Sequence, residues 1–573
     1  MRPASLESTG AGATRSPVVR IVVLALDGLG LALAALAAVL IVTGGFTVAG
    51  AELTRAEDIV LAGVVVLALR VMLRPIRLPA CDPKRAVVAG VLSYAASFAF
   101  IAVTRHMAFQ THALDLGYYV QVVWSIGQGR GARVSLPEMH AWGDHFSPVL
   151  YLFVPIAWFV PGALALLLGQ TLILAAGGLA VFAFARQRLE DERLAAGFAL
   201  LYLLNPTLHG INIRDVHLQA FAIPLLIGAA YAFDRRRYGW CAVALALTAG
   251  GREDAAVAVV GFAVWLALAR RKWLLGGAVA LASVGLLMVD VHWLMPYWWG
   301  GPYRHLGRYR QLGRSFEEVL ASPITHPRVV LATMLTAANV RYLVLLLAPL
   351  GFLPLFAPRV LAAALPGLSI NLLSLDRLLT THRSQYQSFI LPFLVLAAIE
   401  GYGALATLAA YRSNRPNPRA PDSSAGFRRR NSSLGGGWEG AVEAPSHCLA
   451  GQRRLPARPA PGAVLAFAVL ASVALTSRTV NELMITRWWP DDRIRAAHRL
   501  IARVPPMVSV STNERFVPHL ATRPLVFVTK EQGLTRGEWV LETEAVVAEG
   551  VGLEVVARDG GYVLARRARA GRG

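Results

Sequence analysis

The sequence predicts an α-helical integral membrane protein with about 13 transmembrane helices and a small C-terminal α/β domain. Of its 573 residues, 55% are hydrophobic and 16% are charged, whereas soluble proteins carry roughly 25% charged residues. The apolar residues form long runs, and arginines cluster in the short connections between them, as the positive-inside rule requires. These observations exclude a single soluble enzyme, a disulfide scaffold and an intrinsically disordered protein.

The predicted spans are apolar segments separated by polar or basic connections. Most are long enough to cross the roughly 30 Å hydrocarbon core of a bilayer. They are residues 18–45, 57–74, 86–104, 163–186, 193–206, 218–234, 238–250, 254–270, 273–295, 339–357, 359–375, 386–411 and 461–478. A further apolar segment, residues 146–160, is shorter and carries Pro148 and Pro155, so we expect it to lie in the membrane interface.

The basic clusters set the expected orientation. With the N-terminus in the cytoplasm, residues 235–237 and 270–272 lie on the cytoplasmic side, as their arginines require. The longer connections and everything after residue 479 then face outwards. We therefore expect a multi-pass protein of the cell membrane whose C-terminal domain is extracytoplasmic.

The formal net charge of +21 is also typical of proteins that bind nucleic acids. Such binding requires a contiguous basic face, whereas here the arginines are spread over short clusters between apolar runs. We expect no nucleic-acid partner.

The chain divides into five parts. Residues 412–460 are rich in Pro, Gly, Ser and Arg and are predicted to form a flexible cytoplasmic linker. After the last span, a helical spacing over residues 491–504 precedes predicted strands at 507–511, 524–529, 538–542 and 553–565. The five parts are an N-terminal two-span extension (1–85), a polytopic membrane domain (86–411), the linker (412–460), the last transmembrane helix (461–478) and an extracytoplasmic α/β domain (479–573).

Asp115 is a candidate functional residue in the first long outer connection. It precedes an amphipathic helix in which Tyr118, Val122 and Ile126 recur at a spacing of four. An acid at this position can cap the helix, or it can act as a general base or a metal ligand at the membrane surface.

Asp144 and His145 form a second candidate in the same connection. They are adjacent in a turn that follows Gly143 and precedes Pro148. A carboxylate beside an imidazole is typical of acid–base or metal-binding sites. The alternative is a polar surface turn.

Two short outer connections carry further charged residues. The first contains Asp215 and His217, and the second contains Arg252, Glu253 and Asp254. Short connections between apolar spans rarely need several charges for solubility alone, so these residues are candidates for substrate binding. The alternative is that the two acids of the second connection cap the next helix or pair with its arginine.

The outer connection near residue 300 contains Arg304, Arg308 and Arg310. Arginines on the outer side depart from the charge rule, and guanidinium groups bind phosphate through paired hydrogen bonds. His382 and Arg383 form a second outer group of the same kind. For both groups, attraction to lipid headgroups without catalysis is the alternative.

Several separated segments resemble a family of bacterial multi-pass membrane proteins, domain of unknown function 2079. These segments are DLGYYVQVVW, GDHFSPVLYLFVPIAWF, YLLNPTLHGINIRDVHLQAFAIP, ALTAGGREDAAVAV and VSVSTNERFVPHLATRP. The resemblance covers residues 86–411 and 479–545. It implies a location in a bacterial plasma membrane.

That family is similar in layout to the glycosyltransferase-C superfamily of enzymes that use polyprenyl-phosphate sugars. Members of the superfamily have an acidic residue in a large first outer loop that acts as a base or a metal ligand. The resemblance implies that Asp115 is the best match to this acid and Asp144 the second. It also implies a membrane-lipid partner, a polyprenyl-phosphate sugar, and a divalent cation as a candidate cofactor whose ligands the sequence does not identify.

Three function classes follow. In a glycosyltransferase, Asp115 or Asp144 deprotonates an acceptor hydroxyl, the arginines near residue 300 stabilise the leaving phosphate, and the remaining candidates orient the substrate or hold a cation. A transporter or flippase of an envelope precursor is the second class, although charged residues within the spans are sparse. A non-catalytic envelope scaffold is the third. The sequence contains no nucleotide-binding loop of the ATPase type, and it does not indicate an oligomeric state.

Overall fold

The computed structural model describes residues 17–48, 50–74, 81–413, 459–548, 550 and 552–568. The chain is mostly helical up to Met484, and a sheet follows. The predicted linker, residues 412–460, lies outside the described residues except at its two ends.

The part before residue 485 is built from α-helices of very different lengths. In chain order they are α1 (Pro17–Thr43), α2 (Ala56–Leu73), α3 (Pro83–Met107), α4 (Tyr118–Gly127), α5 (Val154–Ala157), α6 (Gly162–Leu189), α7 (Glu192–Leu203), α8 (Pro206–Ile213), α9 (Ala222–Asp234), α10 (Tyr238–Ala249), α11 (Ala255–Leu268), α12 (Trp273–Val289), α13 (Met295–Trp299), α14 (Phe316–Thr325), α15 (Pro327–Met334), α16 (Ala337–Leu347), α17 (Pro358–Leu361), α18 (Leu365–Leu373), α19 (Leu391–Ser413) and α20 (Pro459–Met484).

Among the described residues, six helices are long and apolar enough to cross a membrane. They are Pro17–Thr43, Pro83–Met107, Gly162–Leu189, Trp273–Trp299, Leu391–Tyr411 and Gly462–Met484. Two bent pairs, α7 with α8 (42°) and α15 with the helix Ala337–Leu350 (56°), raise the number to eight if each pair is one span. A multi-helix membrane protein is confirmed, whereas the count of about 13 is not.

The other five predicted spans are helices, but they fall short in length or composition. α2 contains three charged residues, Glu57, Asp58 and Arg70, within 18 residues. Leu218–Asp234, Tyr238–Ala249, Ala255–Leu268 and Pro358–Leu373 have only 10–17 residues, fewer than the roughly 20 needed to cross the hydrocarbon core. Hydropathy therefore located these helices without deciding whether each one spans.

Three of the predicted cytoplasmic connections meet at one end of the bundle. Asp234, at the end of α9, contacts Arg188 of α6 at 2.8 Å and Arg270, just beyond α11, at 2.8 Å. Arg270 also contacts Glu400 of α19 at 2.8 Å. This network joins the ends of α6, α9 and α11 to the middle of α19, at the end of α11 opposite to Asp254.

The N-terminal extension packs against the last helix of the bundle. Its two helices are joined by an antiparallel hairpin of β1 (Phe46–Val48) and β2 (Ala51–Leu53). The Asn481 amide of α20 donates to Glu57 at 2.6 Å, and the Trp488 indole donates to the carbonyl of Ile41 at 2.8 Å. The extension is therefore attached to the segment that leads into the C-terminal sheet.

The C-terminal sheet contains five strands, namely β5 (Val510–Thr512), β6 (Val526–Val528), β7 (Trp539–Thr543), β8 (Leu553–Asp559) and β9 (Tyr562–Arg567). The helices before or between them are α21 (Asp492–Arg503), α22 (Val517–Leu520), α23 (Thr529–Gln532) and α24 (Glu544–Ala548). The strand order in the sheet is β6-β5-β7-β9-β8. β5 pairs in parallel with β6 and β7, whereas β9 pairs antiparallel with β7 and β8.

Residues 553–565, predicted as one strand, form a hairpin instead. Gly560 and Gly561 have φ values of +57° and +79°, which a residue without a Cβ adopts at little cost. The chain reverses there and β8 pairs with β9. The predicted helix over 491–504 is confirmed as α21.

The sheet docks on the segment between α3 and α6, where β3 (Arg133–Ser135) and β4 (Glu138–His140) form a further hairpin. The Ser135 hydroxyl donates to the carbonyl of Val526 at 2.7 Å and accepts from its amide at 2.9 Å. Phe109 and Leu136 share a buried core with α21 and the sheet. This contact places the sheet over the end of α3.

Two histidines stack where α3 meets the sheet. The rings of His106 and His519 are parallel, with centroids 4.0 Å apart, and the His498 ring lies edge-on to His519 at 5.5 Å. His519 Nε2 contacts the carbonyl of His106 at 3.0 Å. Burial, followed by the neighbouring His106 and His498, lowers the pKa of His519 well below its usual value.

We predict that acid weakens this docking. Because the pKa of His519 is lower in the folded than in the unfolded chain, protonation favours the unfolded chain below about pH 6.5, by up to about 1.4 kcal/mol per pH unit. Thermal unfolding in detergent between pH 7.5 and 5 should show a loss of stability on acidification that is smaller in His519→Gln. His326→Gln, at an exposed histidine of the bundle, is the control; an equal loss in both variants contradicts the prediction.

Candidate functional site

Three loops that are distant in sequence meet through one buried carboxylate. Glu253 lies in the turn between α10 and α11, and its side chain is fully buried. Its Oε1 atom contacts His145 Nδ1 at 3.0 Å, and the Tyr303 hydroxyl donates to the same oxygen at 3.4 Å. Burial alone would raise the pKa of Glu253, but His145 and Arg252 hold it below its usual value. The carboxylate is therefore an anion that fixes both loops.

Asp144 extends this network on the other side of His145. The His145 and His305 rings are parallel, with centroids 4.5 Å apart. Asp144 contacts Arg304 Nη1 at 3.3 Å and His305 Nε2 at 3.5 Å. Burial would raise the pKa of Asp144, but the hydrogen bond from His305 and the nearby positive charges lower it well below its usual range. Asp144 is thus held in its ionised form.

Two arginines approach one aromatic ring beside this network. Arg252 is buried and forms a bidentate pair with Asp254. Its guanidinium lies 5.9 Å from the centre of the Tyr386 ring, and the guanidinium of Arg308 lies 5.4 Å from the same ring. Arg308 is half-buried, and its ion-pair contact, with Asp376, is a long one at 3.7 Å. Its donors therefore remain open to a bound anion.

These groups line a cavity of about 550 Å³. Its polar residues are His145, Arg252, Asp254, His305, Arg308 and the tyrosines 303, 309 and 386, together with Ser369 of α18. The rest of its wall is apolar and comes from α11, the α12 segment, α14, α15 and α18, with Val257, Leu287, Leu320, Val330 and Ile370 among the contributors. Since the polar residues contact one another, the cavity has a charged region and an apolar region.

Asp144, His145 and His305 could hold a divalent cation. Their ligand atoms lie within 4.8 Å of one another, and all three residues are half-buried. His145 directs Nδ1 to Glu253, which is the orientation that carboxylates impose on metal-binding histidines and which leaves Nε2 available. The nitrogen and oxygen donors suit a zinc ion or a similar transition metal.

Asp115 lies near this site without joining the network. It belongs to the first turn of the π-helical segment Ala113–Gly117, and α4 has no side-chain cap, so Asp115 does not cap α4 through a hydrogen bond. Asp115 is half-buried, and no hydrogen bond or ion pair engages its carboxylate among the described residues. Burial lowers the pKa of buried His217, Asp115 raises it, and Arg252 lowers it further. His217 is therefore within electrostatic range of both residues.

Asp215 has a structural role that the sequence did not reveal. Its Oδ2 atom accepts from the backbone amide of His112 at 2.7 Å and contacts the His112 ring at 3.0 Å. This pair anchors the residue that directly precedes the π-helical turn of Asp115. Asp215 therefore positions the segment that carries the candidate base.

The predicted site residues Asp115, Asp215 and His217 do not line this cavity, and neither do Arg310, His382 and Arg383. Arg310 is exposed and is not among the cavity-lining residues. Arg383 contacts Glu482 of α20 at 2.8 Å, and His382 lines a separate polar cavity with it. The structure therefore does not bring His382 and Arg383 together with Arg304 and Arg308.

The sequence analysis missed His305, Tyr303 and Tyr386. His305 lies beside Arg304, where the arginines dominated the interpretation of the loop. The available signal was that Tyr303 and His305 flank Arg304 and that Tyr386 closely follows Arg383, because such side chains combine proton transfer with hydrogen bonding.

The membrane character of the chain agrees with a family comparison. Residues 105–418 match the model of a family described as a predicted membrane protein (DUF2079). The match includes every residue of the cavity. The chain belongs to this family.

This chain is similar over most of its length to two solved structures. It is similar to ArnT from Cupriavidus metallidurans bound to undecaprenyl phosphate, with a TM-score of 0.48 and 14% identity over 84% of this chain and 98% of that chain. For ArnT in the apo state, the TM-score is 0.44 and the identity 14%, over 82% and 97% of the two chains. Both scores lie below 0.5, so neither structure assigns a ligand or an activity to this DUF2079 protein. No curated protein matches it.

We predict that Glu253→Gln destabilises this DUF2079 protein. The amide keeps the shape of the side chain but removes the buried charge that binds His145, and losing such a hydrogen bond costs about 1–3 kcal/mol. Chemical or thermal unfolding in detergent measures the effect. The control is Glu317→Gln, at an exposed carboxylate that also contacts a histidine, His292. Equal losses of stability in the two variants contradict the prediction.

Proposed function

We propose that this protein is a glycosyltransferase, with a glycosyltransferase-C-like membrane domain, that transfers a sugar from a polyprenyl-phosphate donor at the outer leaflet. The cavity of about 550 Å³ supports this proposal most directly. Its apolar wall fits an isoprenoid chain, and Arg252 and Arg308 fit a phosphate at the charged region. An amphiphilic lipid phosphate satisfies both regions at once.

Asp115 is the proposed general base. An acceptor hydroxyl transfers its proton to the Asp115 carboxylate while its oxygen attacks the anomeric carbon of the sugar. The bond between that carbon and the phosphate oxygen breaks, and the polyprenyl phosphate leaves with the electron pair. Arg308 and Arg252 stabilise the negative charge on the leaving group. Asp144 is the weaker candidate because Arg304 and His305 occupy its carboxylate.

His217 and the Glu253 network have positioning roles in this proposal. His217 is buried and lies within electrostatic range of both Asp115 and Arg252, so its proposed role is to orient the acceptor or to relay the proton. Glu253 and His145 hold the loops that form the charged region. A divalent cation bound by Asp144, His145 and His305 would act as a Lewis acid on the donor phosphate.

The proposal keeps the division of the chain at residues 85, 411, 460 and 478 and a cytoplasmic N-terminus. Support comes from the position of the site and of the Arg188–Asp234–Arg270 network at opposite ends of α11. Basic residues collect at the cytoplasmic ends of spans, so the site and the C-terminal sheet belong to the extracytoplasmic side. The sheet then shapes access for the acceptor.

We predict that Asp115→Asn lowers the rate of sugar transfer at least 100-fold, a typical contribution of a general base. The assay measures transfer from a radiolabelled polyprenyl-phosphate hexose in membranes. Asp144→Asn should lose less activity, and Asp58→Asn, at an exposed acid of the extension that pairs with Arg55, should retain it. Full activity in both Asp115→Asn and Asp144→Asn ends the base assignment. Movement of intact donor across proteoliposomes without a new glycosidic bond would favour a flippase instead.

We predict opposite sidedness for Arg235 and Arg310, which are both exposed. In a chain whose cysteines, Cys81, Cys241 and Cys448, are replaced by alanine, Arg310→Cys should react with an impermeant maleimide in intact cells. Arg235→Cys should react only after the membrane is permeabilised. The reverse pattern, or labelling of both from one side, contradicts the proposed orientation.

A further inference from the structure

A second cavity, of about 620 Å³, lies between the outer end of α3 and the C-terminal sheet. Arg105 and Phe109 line it from the bundle, and Asn513, Phe516 and Tyr562 line it from the sheet. It shares no lining residue with the cavity of the proposed donor site. The two cavities are therefore separate binding spaces on the same side of the bundle.

Basic groups dominate this second cavity. Its lining contains four arginines and two acids, namely Arg105, Arg487, Arg493, Arg515, Glu514 and Glu542. Glu542 is buried and accepts hydrogen bonds from Thr529 and from the amide of Thr543. It is thus committed to the sheet, and the arginines are left with little compensation.

The arginines are only weakly neutralised by neighbouring side chains. Arg105 is half-buried, hydrogen-bonds to the hydroxyl of Thr486 at 3.2 Å, and has no carboxylate within 4.0 Å among the described residues. Arg515 meets Glu514 at 3.7 Å, and Arg487 meets Asp491 at 3.9 Å. Such long contacts at exposed side chains contribute little. An anion with several oxygens would satisfy guanidinium donors that the protein leaves open.

Tyr562 provides a second kind of contact surface. Its half-buried ring packs edge to face on Phe516, a buried core residue, with centroids 5.1 Å apart, and the guanidinium of Arg493 lies 4.9 Å from the Tyr562 ring. An aromatic side chain beside a few fixed polar groups is typical of small-molecule sites. The apolar face of a sugar ring can pack on Tyr562 while its charged substituent binds the arginines.

One residue of the cavity lining directly precedes the turn that carries the proposed base. His112 lines the cavity and is held by Asp215. The π-helical turn that carries Asp115 starts at the next residue, Ala113. A ligand in this cavity is therefore adjacent to the segment whose position determines that of the Asp115 carboxylate.

We infer that this cavity binds the acceptor, and that the acceptor is an anionic saccharide that carries a phosphate or a carboxylate. This inference rests on the proposed function. The arginines bind the anionic group, the Tyr562 ring packs on the sugar, and a hydroxyl of the same molecule extends along His112 towards Asp115.

Calorimetric titration of the full-length protein in detergent tests the inference. The probes are glucose 1-phosphate, glucuronate and neutral glucose. We expect both anionic probes to bind, more weakly at high ionic strength, and glucose to bind at least about tenfold more weakly. Tighter binding of glucose 1-phosphate indicates a phosphate-bearing acceptor, and tighter binding of glucuronate indicates a carboxylate-bearing one.

Three variants locate the binding. Arg105→Gln combined with Arg515→Gln should weaken binding of the anionic probes about tenfold or more. Arg487→Gln changes a side chain that is 57% exposed, so the fold should be unaffected. This variant should weaken binding of the anionic probes about threefold. The control is Arg558→Gln, at an exposed arginine of β8 that pairs with Glu544 and should bind as the unchanged protein does.

Equal binding of glucose and glucose 1-phosphate, or unchanged affinity in the arginine variants, overturns the inference. The outcome is separable from that of the proposed function. If the anionic probes depend on these arginines but no sugar transfer is found, the glycosyltransferase proposal fails and the anion site stands. If sugar transfer requires Asp115 but the arginine variants bind the anionic probes with unchanged affinity, only the assignment of the acceptor site is wrong.

Discussion

The end of the bundle that carries Glu253 is organised by the need to stabilise one buried negative charge. An isolated carboxylate in a low-dielectric interior costs several kcal/mol unless it is paired and hydrogen-bonded. Glu253 is fully buried, so His145 and Tyr303 must approach it, and each brings its own loop. The stack of His145 on His305 and the contacts of Asp144 extend the same requirement. The charged region of the neighbouring cavity exists because these loops are held together.

The two cavities differ in character. One combines an apolar wall with a few charges, and the other collects arginines and aromatic rings beneath the sheet. Residues of the segment from Arg105 to His112 line the second cavity, and the charge of Asp115, three positions later, acts on His217 together with that of Arg252 from the first cavity. The sheet is docked on this segment through Phe109. The same stretch of backbone therefore carries the docked sheet and part of the second cavity.

Sequence reasoning recovered much of the site because charged residues in short outer connections have few structural reasons to be there. Asp144, His145, Arg252, Glu253 and the arginines 304 and 308 all belong to one region of the structure. It failed where several residues of one loop face different directions. The backbone between Arg308 and Arg310 turns one side chain towards Tyr386 and the other to solvent. Similarly, nothing local indicates that Arg383 pairs with Glu482, a residue 99 positions later.

By itself, the sequence determined the membrane class, the positions of the helices and the strand-forming character of the C-terminal part. These depend on hydropathy and residue preference over windows of ten to twenty residues, so they can be derived locally. The tertiary structure decided which apolar helices are too short or too charged to cross alone and which outer loops share a cavity. His145 and Glu253 are 108 residues apart, and only the packing of the helices between them brings an imidazole to the carboxylate that requires it.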